Sequence, residues 1–156
     1  MEPTVAPHSI QLTDAAATRA LGGVLLGWMQ QAGQPVLLLR GELGAGKTSL
    51  VQGLAAALGI EEPITSPTFA LAQHYMAPVG DAMGLVHLDL YRLEQPAAAD
   101  ELFEQEDDEA RQLGALMAVE WPERLSTMPE GCWLLELELV DPSNPDAGRS
   151  ATLHLL

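Results

Sequence analysis

Lys47 is the only lysine in a chain of 156 residues, and it stands in Gly41-Glu42-Leu43-Gly44-Ala45-Gly46-Lys47-Thr48. The spacing G-x-x-x-x-G-K-[ST] is that of the phosphate-binding P-loop. Glycines in such a loop let the backbone turn tightly and aim successive N–H groups at phosphate oxygens. A lysine at the seventh position neutralises the terminal phosphates of a nucleoside triphosphate. The Thr48 hydroxyl is a hard oxygen ligand suited to Mg²⁺. Leu43, Gly44, Ala45, Gly46, Lys47, Thr48 and Ser49 are therefore the candidate nucleotide-binding residues, with Lys47 also expected to act in catalysis.

The flanking residues supply the elements such a loop needs. The apolar run Val36-Leu37-Leu38-Leu39 predicts a buried strand. After the loop, Leu50, Val51, Leu54 and Leu58 fall at helical spacing and Gly59 provides a stop. Unpaired N–H groups at the start of that helix, and its dipole, favour an anion there.

Mg²⁺ and an attacking water also need carboxylates at the ends of neighbouring strands. Asp89, in His87-Leu88-Asp89-Leu90-Tyr91-Arg92, and Glu120, in Ala118-Val119-Glu120-Trp121-Pro122, are ionisable residues in otherwise apolar strands. On periodicity alone, each could equally face solvent or pair with Arg92 or Arg124. The loop tips the reading toward a magnesium role. Thr65-Ser66-Pro67-Thr68 could supply a switch hydroxyl, although hydroxyls in a turn more commonly satisfy their own backbone. His8, His74, His87 and His154 show no metal-binding spacing and read as surface or sheet residues. The acidic stretch from Asp100 to Glu109 reads as a solvated face.

The rest of the chain places these residues. A short strand over 9–12 precedes a helix capped at Thr13-Asp14 and running to about 31. Further strands are expected over 69–75, 84–93 and 116–121, with a turn at 78–81 and a partly helical acidic segment at 94–112. A terminal strand pair, 133–140 and 151–156, is joined across 141–145. This alternation predicts one α/β domain over 1–156, with a mostly parallel central sheet flanked by helices and antiparallel strands at the C-terminal edge.

Composition narrows the partners. Seven basic against 22 acidic residues give a formal net charge of −15. A free-standing nucleic-acid binder presents a basic face, so no tight direct binding of tRNA or DNA is expected. The single Cys132 excludes an intramolecular disulfide, suits a reducing cytoplasm and reads as a small buried apolar residue. Neither a secretion leader nor a membrane-spanning run is expected.

Four strings occur here in one order: the loop 41–48, Ser66-Pro67-Thr68-Phe69, His87 to Leu93, and Glu120-Trp121-Pro122-Glu123-Arg124. Together they resemble the TsaE (YjeE) ATPases over about residues 9–140. The resemblance implies a cytoplasmic P-loop NTPase fold that binds and hydrolyses ATP with Mg²⁺. It implies work alongside the TsaD and TsaB proteins in threonylcarbamoyladenosine modification of tRNA next to the anticodon. Gly44 to Ser49 would hold the phosphates, and Thr48 and Glu120 the metal. Asp89 would act near the attacking water or the metal shell, and Thr68 as the switch hydroxyl. Trp121 would lie by the site or a partner surface, unless it simply packs in the core. A further nucleotide contact maps to somewhere within 13–18. The departure is at Glu106-Asp107-Asp108-Glu109, where the family usually carries a glycine.

Two other readings share the loop. A small-molecule or nucleotide kinase would bring a cluster of lid arginines, and the six arginines here are dispersed. A guanine-reading switch needs a second lysine. A nucleotide-gated binding module with negligible hydrolysis lies close to the preferred reading.

Overall fold

The apolar run after Pro35 forms the middle of a seven-stranded sheet. A computed structural model describes residues 8–65, 71–76 and 83–156. Thr68 with its neighbours Ser66, Pro67 and Phe69, and the turn expected at 78–81, lie outside the described residues. The elements in chain order are β1 (His8–Leu12), α1 (Ala15–Ala32), β2 (Val36–Arg40), α2 (Lys47–Ala57), β3 (Ala72–Tyr75) and β4 (Leu85–Asp89). They continue with α3 (Pro96–Leu113), β5 (Leu116–Glu120), β6 (Trp133–Leu139) and β7 (Arg149–Leu155). Two single-turn 3₁₀ segments, Pro122–Arg124 and Pro145–Ala147, follow β5 and precede β7.

The sheet order is β1-β7-β6-β2-β5-β4-β3. Its centre, β6-β2-β5-β4, is parallel. The C-terminal hairpin β6–β7 is antiparallel, as expected, and β1 adds antiparallel to β7. At the opposite edge β3 runs antiparallel to β4.

Successive side chains of a strand point to opposite faces. Leu37 and Leu39 of β2 therefore join the core beneath α1 and α2, while Val36 and Leu38 join Ala99 and Ala110 of α3 on the other face. A strand covered on both faces can be apolar throughout, which explains the unbroken run. Asp14 caps α1 by accepting from Ala17 N at 2.8 Å, and Gly33 ends it in the left-handed conformation at φ 67°. α1 and α2 pack backbone to backbone: a Cβ on Gly22 would lie 2.5 Å from the Leu50 carbonyl oxygen, and one on Gly53 would run into that of Arg19.

Two segments differ from expectation. The strand expected to reach residue 93 stops at Asp89, because the Asp89 carboxylate accepts from Tyr91 N at 3.0 Å and starts a turn. The acidic segment is helical throughout, from Pro96 at the first helical position to the left-handed cap Gly114. His87 is a sheet residue, one of the two places expected for it, and it is fully buried. No helix among the described residues is long and apolar enough to cross a membrane.

Candidate functional site

The parallel centre of the sheet fixes the site, because its strands β2, β4 and β5 end side by side. In open α/β sheets ligands bind beyond the carboxyl ends of the strands. β2 runs into the glycine-rich loop there, and the register pairs Asp89 of β4 directly with Glu120 of β5. Both carboxylates thus leave neighbouring strands on the same face.

The loop is shaped by two left-handed glycines, Gly44 at φ 83° and Gly46 at φ 102°. α2 begins immediately after Gly46, which brings no side-chain cap, and its first turn contains no acidic residue. Orphan N–H groups at a helix start are an anion site in waiting. Lys47 is buried, with its Nζ donating to the Gly41 carbonyl oxygen at 2.6 Å and lying 4.4 Å from the Trp121 ring centroid.

Trp121 is the only non-glycine residue at positive φ among the described residues, at 61°. The left-handed conformation strains an L side chain by about 1–2 kcal/mol. It turns the chain from the end of β5 into Pro122–Arg124 and places the indole beside Lys47. Tyr91 lies 4.8 Å from the same ring, and the Arg124 guanidinium is 5.5 Å and 5.8 Å from the Tyr91 and Trp121 centroids.

Across the loop, the Asp89 carboxyl is held above the ordinary carboxylate range. Burial is the main cause and the Glu120 charge adds to it, while the Tyr91 N–H bond and the charge of Lys47 oppose it. The Glu120 carboxylate is buried and hydrogen-bonded through Oε2 to His87 Nε2 at 2.6 Å.

A cleft of about 360 Å³ collects Leu43, Gly44, Gly46, Lys47, Thr48 and Ser49 with Asp89 and Glu120, and Tyr91, Trp121 and Arg149 complete it. Of the sequence-expected site residues, Ala45 is buried beneath the loop and does not line the cleft. Thr68 lies outside the described residues. A second hollow of about 270 Å³, lined by Thr13, Asp14 and Thr18 of the α1 start, shares Gly46, Ser49 and Arg149 with the first. A depression of about 370 Å³ on the other side of the loop carries Glu42, Glu123, Glu136 and Glu138. Arg40 lines it too and pairs with Glu123 and Glu136, which leaves an excess of negative charge that disfavours an anion there.

Three residues in or behind the cleft had no site role in the sequence reading: Tyr91, Arg149 and His87. Arg149 of β7 donates through Nη2 to the Gly44 carbonyl oxygen at 3.0 Å and through Nη1 to the Pro145 carbonyl oxygen at 2.5 Å. His87 became visible only through its contact with Glu120. Its place two residues before Asp89, on the same strand face, was the one available signal.

Against known proteins, the family model described as threonylcarbamoyl adenosine biosynthesis protein TsaE matches residues 12–147. The chain belongs to the TsaE family. A TsaE protein of Nostoc sp., named as a tRNA threonylcarbamoyladenosine biosynthesis protein, is 44% identical over 120 residues, covering 77% of this chain and 71% of the relative. The TsaE of Treponema pallidum is 36% identical over 131 residues, covering 83% and 91% respectively. The crystal structure of Bacillus subtilis YdiB is similar with a TM-score of 0.61 and 26% identity, covering 97% of this chain and 87% of that one. The TsaE match spans the loop 41–48 and both carboxylate strands, and it ends just before Arg149.

Proposed function

We propose that this TsaE-family chain binds ATP with Mg²⁺ in the cleft around Lys47 and hydrolyses it to ADP and phosphate. Turnover is weak without partners and serves threonylcarbamoyladenosine modification of tRNA in the cytoplasm. The observation that carries this reading is the single cleft joining the start of α2, with Lys47 and Thr48, to the paired strand ends bearing Asp89 and Glu120.

The loop N–H groups and the α2 start cradle the phosphates, and Lys47 exchanges the Gly41 carbonyl for a phosphate oxygen. The base and sugar extend toward Thr13, Asp14 and Thr18. The donor set of Thr48, Glu120 and Asp89 is all oxygen and fits Mg²⁺. Thr48 and Glu120 would hold the ion, which would offset charge on the β- and γ-phosphates. Asp89 orients the attacking water, with a carboxyl whose raised proton affinity suits a proton acceptor. Thr68 serves as the switch hydroxyl. A kinase is disfavoured, since Arg149 is the only described arginine lining the cleft.

With a net charge of −15, the chain acts on tRNA through the TsaD and TsaB proteins, not by gripping the nucleic acid itself. The test is a tRNA-modification assay reconstituted with TsaD and TsaB, with ATP turnover followed in parallel. Omitting this chain, or using Lys47→Ala, is expected to abolish modification. Full modification with Lys47→Ala would overturn the reading.

A further inference from the structure

His87 is fully buried in the sheet, yet it is polar and the proposed chemistry gives it no direct task. Its Nε2 meets Glu120 Oε2 at 2.6 Å, and its Nδ1 is a buried nitrogen without a hydrogen-bond partner among the described residues. An ionised carboxylate can only accept, so Nε2 carries the donated proton. Burying a ring nitrogen without a partner costs free energy, which an apolar side chain at this position would avoid. The orphaned Nδ1 therefore argues that the imidazole is kept for its other nitrogen.

The geometry gives that nitrogen one recipient. Leu85, His87 and Asp89 alternate onto one face of β4, and Ala118 and Glu120 onto the same face of β5, with His87 opposite Ala118 and Asp89 opposite Glu120. His87 thus reaches Glu120 diagonally, one pleat behind the cleft. A carboxylate side chain has several rotamers, and the Asp89 charge alongside pushes Glu120 away. One short N–H bond from a residue locked in the sheet removes that freedom while leaving Oε1 for another partner. Losing a group that orients a metal ligand from behind typically costs about 10–100-fold in metal affinity or activity.

We propose that His87 is a positioning residue. Its Nε2–H fixes the Glu120 carboxylate for Mg²⁺–nucleotide and thereby sets how strongly Mg²⁺ enhances nucleotide binding. This inference rests on the proposed function and deepens it.

The test compares ATP affinity with Mg²⁺ and with a chelator, by calorimetry, for the full chain and for His87→Gln, His87→Asn and His87→Leu. Glutamine places an N–H near the Nε2 position, asparagine only near the Nδ1 position, and leucine supplies none. Wild type and His87→Gln are expected to keep the magnesium enhancement, while His87→Asn and His87→Leu lose it by about tenfold or more. Affinity in chelator stays within about twofold for all four if only the carboxylate has been freed. Thermal unfolding verifies folding, with His87→Leu expected to melt no lower than wild type. An undiminished enhancement in His87→Leu would overturn the inference, as would failure of glutamine to restore it. Equal losses with and without Mg²⁺ would assign His87 a purely structural role and overturn it as well. Absence of any magnesium enhancement in wild type would instead sink the proposed function itself.

Discussion

The Lys47 ammonium lies 4.4 Å from the centroid of the Trp121 ring while donating to the Gly41 carbonyl oxygen. A cation over an indole face is worth about 0.5–2 kcal/mol, and more as water is excluded. A triphosphate entering the cleft competes with both partners for the same charge. Trp121 emission is therefore expected to change on titration with ATP, and Trp121→Phe to remove that change while Trp28 and Trp133 remain. An equal ATP-dependent signal in Trp121→Phe would show that the indole does not report the lysine.

Arg149 ties β7 to the loop by donating to the carbonyl oxygens of Gly44, Pro145 and Gly148. A guanidinium holds five donors in a rigid planar fork, a geometry that the three rotatable donors of an ammonium do not reproduce. Arg149→Ala and Arg149→Lys are both expected to weaken ATP binding by about tenfold, in line with the loss of one hydrogen bond to a charged group. Calorimetry on the two variants checks this. Affinity unchanged in both would make Arg149 a brace of the hairpin alone.

Asp89 ionises less readily in the fold than in the unfolded chain, chiefly because it is buried. The folded state therefore binds the carboxyl proton more tightly. The stability this contributes is present at low pH and is lost as pH rises through the ordinary carboxylate range to the raised value. Ionising the side chain within the fold is therefore a cost to stability. Asp89→Asn is expected to slow ATP hydrolysis by about a hundredfold, while urea unfolding at pH 7 shows stability equal to or above wild type. Its advantage over wild type should shrink toward pH 4, and a growing advantage would contradict the assignment.

The helix pair offers two glycines with opposite outcomes. Gly53→Ala would drive a methyl into the Arg19 carbonyl of the neighbouring helix. Overpacking of that kind costs about 1–3 kcal/mol or more. Gly27 lies mid-helix on the exposed side of α1, where an added methyl would meet open space. Gly27→Ala is expected to stabilise by about 0.5–1 kcal/mol through helix propensity alone. Thermal melts of the two variants should move in opposite directions.

Local signals made the centre of the molecule legible. The apolar run of β2, the glycines at 44 and 46 and the spacing of Leu50 and Leu54 each point to one conformation, so strand, loop and helix could be placed from sequence. Asp14 marked the start of α1 for the same reason. The end of β4 was not legible, because the turn depends on the Asp89 side chain bonding its own backbone two residues on. The full length of α3 was obscured by its narrow buried stripe, Ala99, Glu106 and Ala110, within an acidic surface. His87 and Arg149 were hidden for a different reason. The contact of His87 with Glu120 depends on which residues face each other across β4 and β5, and that of Arg149 on where the C-terminal hairpin folds back. Both are properties of register, not of local spacing.

The glycine seam between α1 and α2 has a consequence for how the cleft is held. Gly22 and Gly53 bring the two backbones into direct contact, and Thr18 of α1 abuts Gly46 of the loop. The loop wall of the cleft is thereby anchored as one block with α1. The opposite wall hangs on the short Asp89–Tyr91 turn and the strained Trp121 backbone. The two walls of the cleft are thus held differently: one by direct backbone contact between helices, the other by a turn after β4, one strand in from the β3 edge.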